Sequence, residues 1–170
     1  MGTRSTVKFI DGKENVVLSI YGQYDGYVAE GGTAHLLGWT LNRWVVEGVE
    51  EVHFNGYLNK EIRNVRQANG IDDLALLYVM DNKRGAYNMY VGADDGVEEF
   101  NYTVTYIEQF GYMVKVEQES WLDIEGMNDS FIGGTYTKLL FEGTLEEYLE
   151  YLLIEGIDYK KNPHGEEEQV

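Results

Sequence analysis

The chain has no cysteine and only one proline, Pro163, among its 170 residues. Without cysteine it has no disulfide, no thiolate nucleophile and no cysteine-ligated zinc site. This composition suits a reducing compartment, so we expect a cytoplasmic protein. No stretch approaches the roughly 20 consecutive apolar residues of a membrane-spanning helix, and we expect no contact with a membrane.

Basic side chains are also scarce: 13 Lys and Arg residues stand against 30 Asp and Glu residues, a net charge of −17. A field of that sign repels the phosphates of nucleic acids, so we expect no direct nucleic-acid binding. Two interpretations of the acidity stay open. One is a mimic of nucleic-acid phosphates that occupies a basic groove on another protein, and the other is a soluble protein with an acidic surface. The chain ends in GEEEQV, and we expect residues 160–170 to form an acidic, disordered tail.

The short motifs that most directly indicate catalysis or metal binding are missing. There is no His-Glu-x-x-His run, no phosphate-cradling Gly-x-x-x-x-Gly-Lys-[Ser/Thr] loop and no Gly-x-Ser-x-Gly elbow. The acidic stretch Asp94–Glu99 lacks the ligand spacing of a calcium-binding EF-hand and is interpreted as a hairpin turn. We therefore predict no catalytic residue, no metal and no cofactor, and favour a protein that is not an enzyme.

Residues 1–159 have the pattern of a single folded domain, in a chain that is 44% hydrophobic and 14% aromatic. Period-two alternation predicts strands, the first two joined as a hairpin through the turn Asp11–Asn15. The tight connection Gln109–Gly111 predicts a second antiparallel hairpin between the strands at 99–107 and 112–117. The predicted strands are residues 3–10, 16–21, 86–91, 99–107, 112–117 and 136–141. Apolar residues at helical spacing predict helices from Thr33 to just before Gly48, from Gly70 to Met80 and from Thr144 to Glu155.

Two details complete the expected fold. Thr144 and Glu147 have the spacing of a capping box at the start of the last helix, and Thr33 is a candidate cap for the first. In the basic segment Asn59–Asn69 the cations Lys60, Arg63 and Arg66 recur every three residues, a spacing that would place them near one face of a helix. Glu50–Tyr57 is left open between a strand and a loop. The predicted fold is α+β: an antiparallel sheet of about five to six strands, covered by about three helices.

Polar and aromatic side chains crowd the predicted strand-to-helix junction, Ile20–Gly32, which has the sequence IYGQYDGYVAEGG. Rings, an amide and a carboxylate at such a junction are typical of the wall of a polar pocket. In the predicted hairpin Arg4 lies opposite the end of the second strand, within reach of Asp25. The candidate ligand-binding residues are Arg4, Tyr21, Gln23, Tyr24, Asp25, Tyr27 and His35.

Each of these residues has a chemical and a structural interpretation. Arg4 suits a phosphate or carboxylate and the tyrosine rings suit a base, but Arg4 and Asp25 would equally form a strand-end salt bridge. His35 falls in the first turn of the predicted helix, where Asp25 could orient it as a general acid or base. The alternative for His35 is a surface or partly buried side chain without chemistry.

Residues Gly2–Ser5 (GTRS) and Ile20–Tyr27 (IYGQYDGY) resemble the start of a family of short, uncharacterised proteins from bacteriophages, large viruses and some bacteria. The Gly70–Leu77 helix and the Phe-Glu-Gly at 141–143, before a Glu-rich last helix, are also similar. After Tyr27 the family pattern has a proline and a Gly-His-Gly, where this chain has VAEGGT. The resemblance implies a phage-like context, hence the host cytoplasm, and implies no known activity.

Three functional hypotheses follow. The first is a non-enzymatic, phage-encoded binding protein that inhibits or sequesters a host defence component, such as a host protein with a basic surface. The second is a nucleotide-binding sponge or a nucleotide-handling enzyme, with a nucleotide-like ligand in a pocket at the strand-to-helix junction. The third is a phage structural protein. Homo-oligomerisation is left open.

Overall fold

The computed structural model describes residues 3–54, 61–85, 88–92, 99–121 and 135–165. In these ranges the chain forms eight strands and three α-helices, and the first helix continues as a π-helical turn over Asn42–Glu47. The elements are β1 (Ser5–Ile10), β2 (Val16–Gly22), α1 (Thr33–Leu41), β3 (Val49–Phe54), β4 (Glu61–Arg66), α2 (Gly70–Asn82), β5 (Met89–Val91), β6 (Phe100–Ile107), β7 (Gly111–Trp121), β8 (Thr135–Thr144) and α3 (Leu145–Ile154).

Six of the strands form one sheet in the order β5-β2-β1-β6-β7-β8. The predicted α+β class is confirmed, but the sheet is mixed, because β1 and β6 run parallel from Ser5 beside Phe100 to Ile10 beside Thr105. Parallel neighbours need a long crossover, which the segment carrying α1 and α2 supplies. Alternation in a sequence shows which residues share a face and does not show which strand lies alongside, so the parallel pair was not predicted.

The local elements with the strongest sequence signals are confirmed. β1 and β2 form the predicted antiparallel hairpin, closed by a turn in which the Asp11 carboxylate accepts the backbone N–H groups of Lys13 and Asn15, each at 2.9 Å. β6 and β7 form the second predicted hairpin. The capping box of α3 is also present: the Thr144 hydroxyl accepts the N–H of Glu147, whose carboxylate accepts the N–H of Thr144.

The core lies between one face of the sheet and the three helices. Side chains from β1, β2, β6 and β7 meet those of the helices there, and three buried tyrosines, Tyr78, Tyr102 and Tyr148, are among the largest. Burial raises the pKa of all three phenols. The Tyr102 hydroxyl donates to the Gly26 carbonyl at 2.8 Å, and the Tyr148 hydroxyl donates to the Ala34 carbonyl at 2.9 Å. These two bonds tie the segment between β2 and α1 to the core.

The basic segment Asn59–Asn69 is not helical where the structure describes it. Residues Glu61–Arg66 form β4, which pairs antiparallel with β3 in a separate two-stranded sheet, and β3 settles the open segment as a strand as far as Phe54. A three-residue recurrence of cations contains no apolar stripe, and cross-strand pairing outweighs such a weak helical preference. Arg66 instead pairs with Asp73 in the first turn of α2, at 3.1 Å.

Several expected features lie wholly or partly outside the described residues. These are the first two residues of the basic segment Asn59–Asn69, the first two residues of the strand expected at 86–91, and all but the last residue of the turn expected at Asp94–Glu99. Residues 122–134, between β7 and β8, also lie outside the described residues. Among the helices that the structure does describe, none is both long and apolar enough to cross a membrane.

Candidate functional site

A cleft of about 220 Å³ opens where β2 ends and α1 begins. We call it the junction cleft. Its walls come from β1, β2, the loop before α1, the end of α2 and the C-terminal segment. Its polar lining is Ser5, Tyr24, Asp25, Thr33, Asn82, Arg84, Asn88 and His164, and its apolar lining includes Val7, Ile20, Leu36, Tyr78, Met89 and Pro163. The predicted junction therefore forms one wall of a real cavity.

Glycine at position 26 allows the loop to lie directly on β1. The Gly26 N–H donates to the Thr3 carbonyl at 2.9 Å, and a Cβ atom at Gly26 would lie only 2.8 Å from the Arg4 carbonyl oxygen. The preceding residue, Asp25, has a φ of 56°, the left-handed conformation that Asp and Asn adopt more readily than most side chains. This backbone shape turns the Asp25 side chain to the cleft while its carbonyl faces α1.

The start of α1 is held by Asp25 and Ser5 rather than by the expected threonine cap. The helix is preceded by Gly32, and no side chain caps it. The Thr33 N–H donates to the Asp25 carbonyl at 2.8 Å, and the Thr33 hydroxyl lies 2.8 Å from the Ser5 hydroxyl. Thr33 is the first residue of α1 and therefore not its N-cap, and its hydroxyl instead joins the helix to β1 through Ser5.

Two of the predicted site residues line the cleft. Tyr24 is 53% exposed, so its ring is accessible, and Asp25 lies beside it. Tyr27 supports this pair from outside the lining, since its hydroxyl donates to an Asp25 carboxylate oxygen at 3.4 Å. Gln23 is not among the lining residues, but its backbone N–H donates to the carbonyl of the lining residue Asn88 at 3.2 Å.

Arg4 and Tyr21 lie elsewhere than expected. The Arg4 guanidinium pairs with the Glu99 carboxylate at 3.9 Å and is not among the lining residues of the cleft. The parallel pairing of β1 and β6 explains this, since residues just before the two strands lie side by side. Tyr21 points to the opposite face of the sheet from Ile20, where its ring packs against Tyr90 with centroids 6.2 Å apart.

His35 is buried at 1% exposure and has a structural role. Its Nδ1 accepts the Gly31 N–H at 3.0 Å, and its Nε2 lies 2.8 Å from the Lys161 carbonyl. An acceptor nitrogen carries no proton and a nitrogen facing a carbonyl must carry one, so the ring is the neutral Nε2–H tautomer. With both nitrogens engaged, His35 is not placed to exchange protons with a ligand, nor is it oriented by Asp25.

Arg84 and His164 are the basic side chains of the cleft lining, and neither is among the predicted site residues. Arg84 follows the end of α2, and His164 lies in the segment expected to form the tail. Asn82 links the two regions: its Oδ1 lies 3.0 Å from His164 Nε2, and the Asn88 amide donates to its carbonyl at 3.1 Å. No local pattern signals these residues, because contacts across tens of residues bring them to the cleft.

A buried hydrogen-bond network supports this wall from behind. The Asp81 carboxylate accepts the Trp44 indole N–H at 2.9 Å and the Thr40 hydroxyl at 3.3 Å. The Asn82 amide donates to the same Thr40 hydroxyl at 3.0 Å, and Arg43 lies 4.0 Å from Asp81. Burial raises the pKa of Asp81, although Arg43 and the bond from Trp44 partly oppose that shift. We call these residues the Asp81 network.

The C-terminal segment, residues 156–165, is the last wall of the cleft. Ile157 is buried at 1% exposure, and the Lys161 ammonium pairs with the Glu30 carboxylate at 2.7 Å. Together with the His35 and His164 contacts, these interactions connect residues 160–165, the start of the expected tail, to the rest of the domain. Residues 166–170 lie outside the described residues.

Comparison with protein-family models, with curated proteins and with solved structures finds no match to this chain. Across the described residues there is also no group of three or more His, Cys, Asp or Glu side chains arranged to hold a metal ion.

Proposed function

We propose that the protein binds a small, nucleotide-like ligand in the junction cleft without transforming it. The observation that carries this proposal is the meeting of Tyr24, Asp25 and Arg84 around one cavity of about 220 Å³. The three residues come from two segments about 60 positions apart, so the cavity depends on the complete fold. A cavity slightly below the usual range for drug-sized ligands suits a compact, polar molecule.

Each of the three side chains has a distinct chemical use. The Arg84 guanidinium offers parallel N–H donors to a phosphate or carboxylate group. The Asp25 carboxylate accepts N–H donors of the kind that purine and pyrimidine rings carry. The exposed ring of Tyr24 offers a flat face on which such a ring can stack. One anionic group, one hydrogen-bonding ring and one stacking surface together describe a nucleotide-like ligand.

The hydrogen bonds of His35 favour binding over catalysis, because they leave neither ring nitrogen available as a general acid or base. Its two ring nitrogens are bonded to the Gly31 N–H and the Lys161 carbonyl, so it holds the cleft wall in place. Because GTRS and IYGQYDGY resemble a phage and viral family, we place this binding in a phage-infected cell. There the protein would sequester a small molecule on which a host defence depends.

Thermal unfolding in the presence of cyclic and linear nucleotides tests the proposal. A ligand present at 100 times its dissociation constant stabilises the native state by about 2.7 kcal/mol, so the unfolding midpoint should rise. Replacing Arg84 with alanine should weaken binding about tenfold or more, since a hydrogen bond to a charged group is worth about 1.5–3 kcal/mol. Asp25→Asn preserves the left-handed backbone and removes the charge, so it isolates the carboxylate.

Tyr106→Ala is a matched control for Tyr24→Ala, since Tyr106 is also exposed, at 41%, and lies near the end of β6 that is remote from the junction cleft. The first change should abolish the midpoint shift and the second should leave it intact. The cleft is refuted as the site if no nucleotide raises the wild-type midpoint, or if both tyrosine variants lose binding equally. Chromatography of the ligand after incubation distinguishes a protein that only binds the ligand from an enzyme. Conversion of the ligand to product would overturn the proposal that binding occurs without catalysis.

A further inference from the structure

A second groove, of about 570 Å³, lies where β1 and β6 end, at the opposite end of these strands from the junction cleft. We call it the end groove. It is lined by Asp11, Gly12 and Glu14 from the turn after β1, and by residues 105–108 at the end of β6. None of these residues contributes to the junction cleft.

The topology of the sheet creates the end groove. β1 and β6 are parallel neighbours, so both end at this edge, with Ile10 beside Thr105. From there the chain turns from β1 to β2 on one side and from β6 to β7 on the other. The two turns diverge and leave a crevice between them, the same divergence that makes the carboxyl ends of parallel strands a common place for binding.

Exposed aromatic and aliphatic side chains border the groove. Tyr106 and Ile107 line the groove and are 41% and 40% exposed, and Phe110, in the turn that follows β6, is 63% exposed. The Tyr106 ring packs against the Tyr112 ring, with centroids 5.1 Å apart and an angle of 66° between the ring planes. Large rings held in place and open to solvent are the side chains that most often anchor protein–protein contacts.

The charges around the groove select the sign of a partner. Carboxylates of Asp11, Glu14 and Glu108 outnumber the one cation of the turn, Lys13. Backbone and side-chain hydrogen bonds from Asn15, with another from the Lys13 N–H, lower the pKa of Asp11 and keep its carboxylate ionised. A second copy of this chain would bring another net charge of −17 to an acidic surface, which makes self-association at this groove unfavourable.

We infer that the end groove is a docking site for a basic segment of a partner protein. An arginine or lysine of that segment lies over the Tyr106 ring, flanked by Glu14 and Glu108, and a neighbouring apolar side chain packs on Ile107 and Phe110. The ring face attracts the cation and the carboxylates neutralise it, while the exposed apolar pair excludes water. This site is independent of the junction cleft, and either proposal can fail alone.

The probe is a short fluorescent peptide of alternating arginine and leucine, titrated against the full chain by anisotropy. Glu14→Gln combined with Glu108→Gln should weaken binding about tenfold, as expected for loss of charges that contact the ligand. The control pair Glu146→Gln and Glu150→Gln removes the same charge from the exposed side of α3 and should change affinity less than about twofold. Tyr106→Ala should also weaken binding, whereas Tyr24→Ala should not.

Backbone amide shifts in a titration monitored by NMR locate the peptide. Shifts concentrated in residues 11–14 and 105–110 support the end groove. The proposal is overturned if the two glutamine pairs lose affinity equally, since the attraction would then be a property of the net charge. It is also overturned if sedimentation shows a dimer that Phe110→Ala dissociates, because the groove would then be covered by a second copy of the chain.

Discussion

Replacing Asp81 with alanine tests the buried network that supports the junction cleft. The Asp81 side chain is 5% exposed and accepts hydrogen bonds from Trp44 Nε1 and the Thr40 hydroxyl. The substitution leaves the indole N–H without an acceptor in the interior, where an unsatisfied donor costs about 1–3 kcal/mol. The Thr40 hydroxyl and the Arg43 guanidinium also lose a partner.

Removal of the carboxylate also offsets part of this loss of stability, because burial of a charged group is unfavourable, and the same burial raises the pKa of Asp81. The Arg43 pair, at 4.0 Å, adds little. We expect a net loss of about 2–3 kcal/mol for Asp81→Ala and about 1 kcal/mol or less for Asp81→Asn, which keeps an oxygen acceptor. Urea unfolding followed by tryptophan fluorescence measures both values, and Trp44 reports on the site directly.

The dependence on pH supplies a second, independent readout. Burial raises the pKa of Asp81 above its ordinary value of 3.8, so the folded state holds this proton more tightly than the unfolded state. Its stabilising contribution is complete below the unfolded pKa and is lost as the pH rises through the folded pKa. The stability of the wild type relative to Asp81→Asn should therefore fall over that window.

Two results would refute this reasoning. Equal stabilities of Asp81→Ala and the wild type near neutral pH would show that the hydrogen bonds contribute nothing net. Parallel pH profiles of the wild type and Asp81→Asn would show that the carboxylate is not desolvated in the folded state. Because Asn82 connects this network to His164, Asp81→Ala should also weaken ligand binding in the cleft, while Asp81→Asn should largely preserve it.

Two further substitutions probe the backbone of the cleft. Gly26→Ala places a methyl group against the Arg4 carbonyl, 2.8 Å away, and should cost about 1–3 kcal/mol in urea unfolding; an unchanged midpoint would contradict the close approach. His35→Ala removes the partner of both the Gly31 N–H and the Lys161 carbonyl and should cost about 2–4 kcal/mol. It should also speed trypsin cleavage after Lys161, and unchanged cleavage would show that His35 does not hold the C-terminal segment.

Elements governed by near neighbours in the sequence were predicted well. The β1–β2 hairpin depends on alternation and on the turn residues Asp11–Asn15, and α2 and α3 depend on apolar spacing. The capping box of α3 needs only Thr144 and Glu147, three positions apart. The segment containing β4 carries no clear periodic signal, and its strand structure comes from pairing with β3.

The residues of the candidate site also differ in whether near neighbours or distant segments position them. Tyr24 and Asp25 were recognisable because their cluster is local, and the chain must turn there between a strand and a helix. Arg84 and His164 reach the same cleft from the end of α2 and from the C-terminal segment, through contacts such as the bond between Asn82 and His164. The register of the β1–β2 hairpin predicts Arg4 at the cleft. Arg4 pairs instead with Glu99, which the parallel pairing of β1 with β6 brings beside it.

The sequence was thus sufficient for the α+β class, two hairpins, the main helices and the existence of a polar strand-to-helix junction. These features follow from interactions between residues a few positions apart, which a linear pattern records. The parallel pairing of β1 with β6, the membership of the junction cleft and the existence of the end groove follow from contacts between distant segments. Such contacts depend on the packing of the whole domain, and no pattern within one segment encodes them.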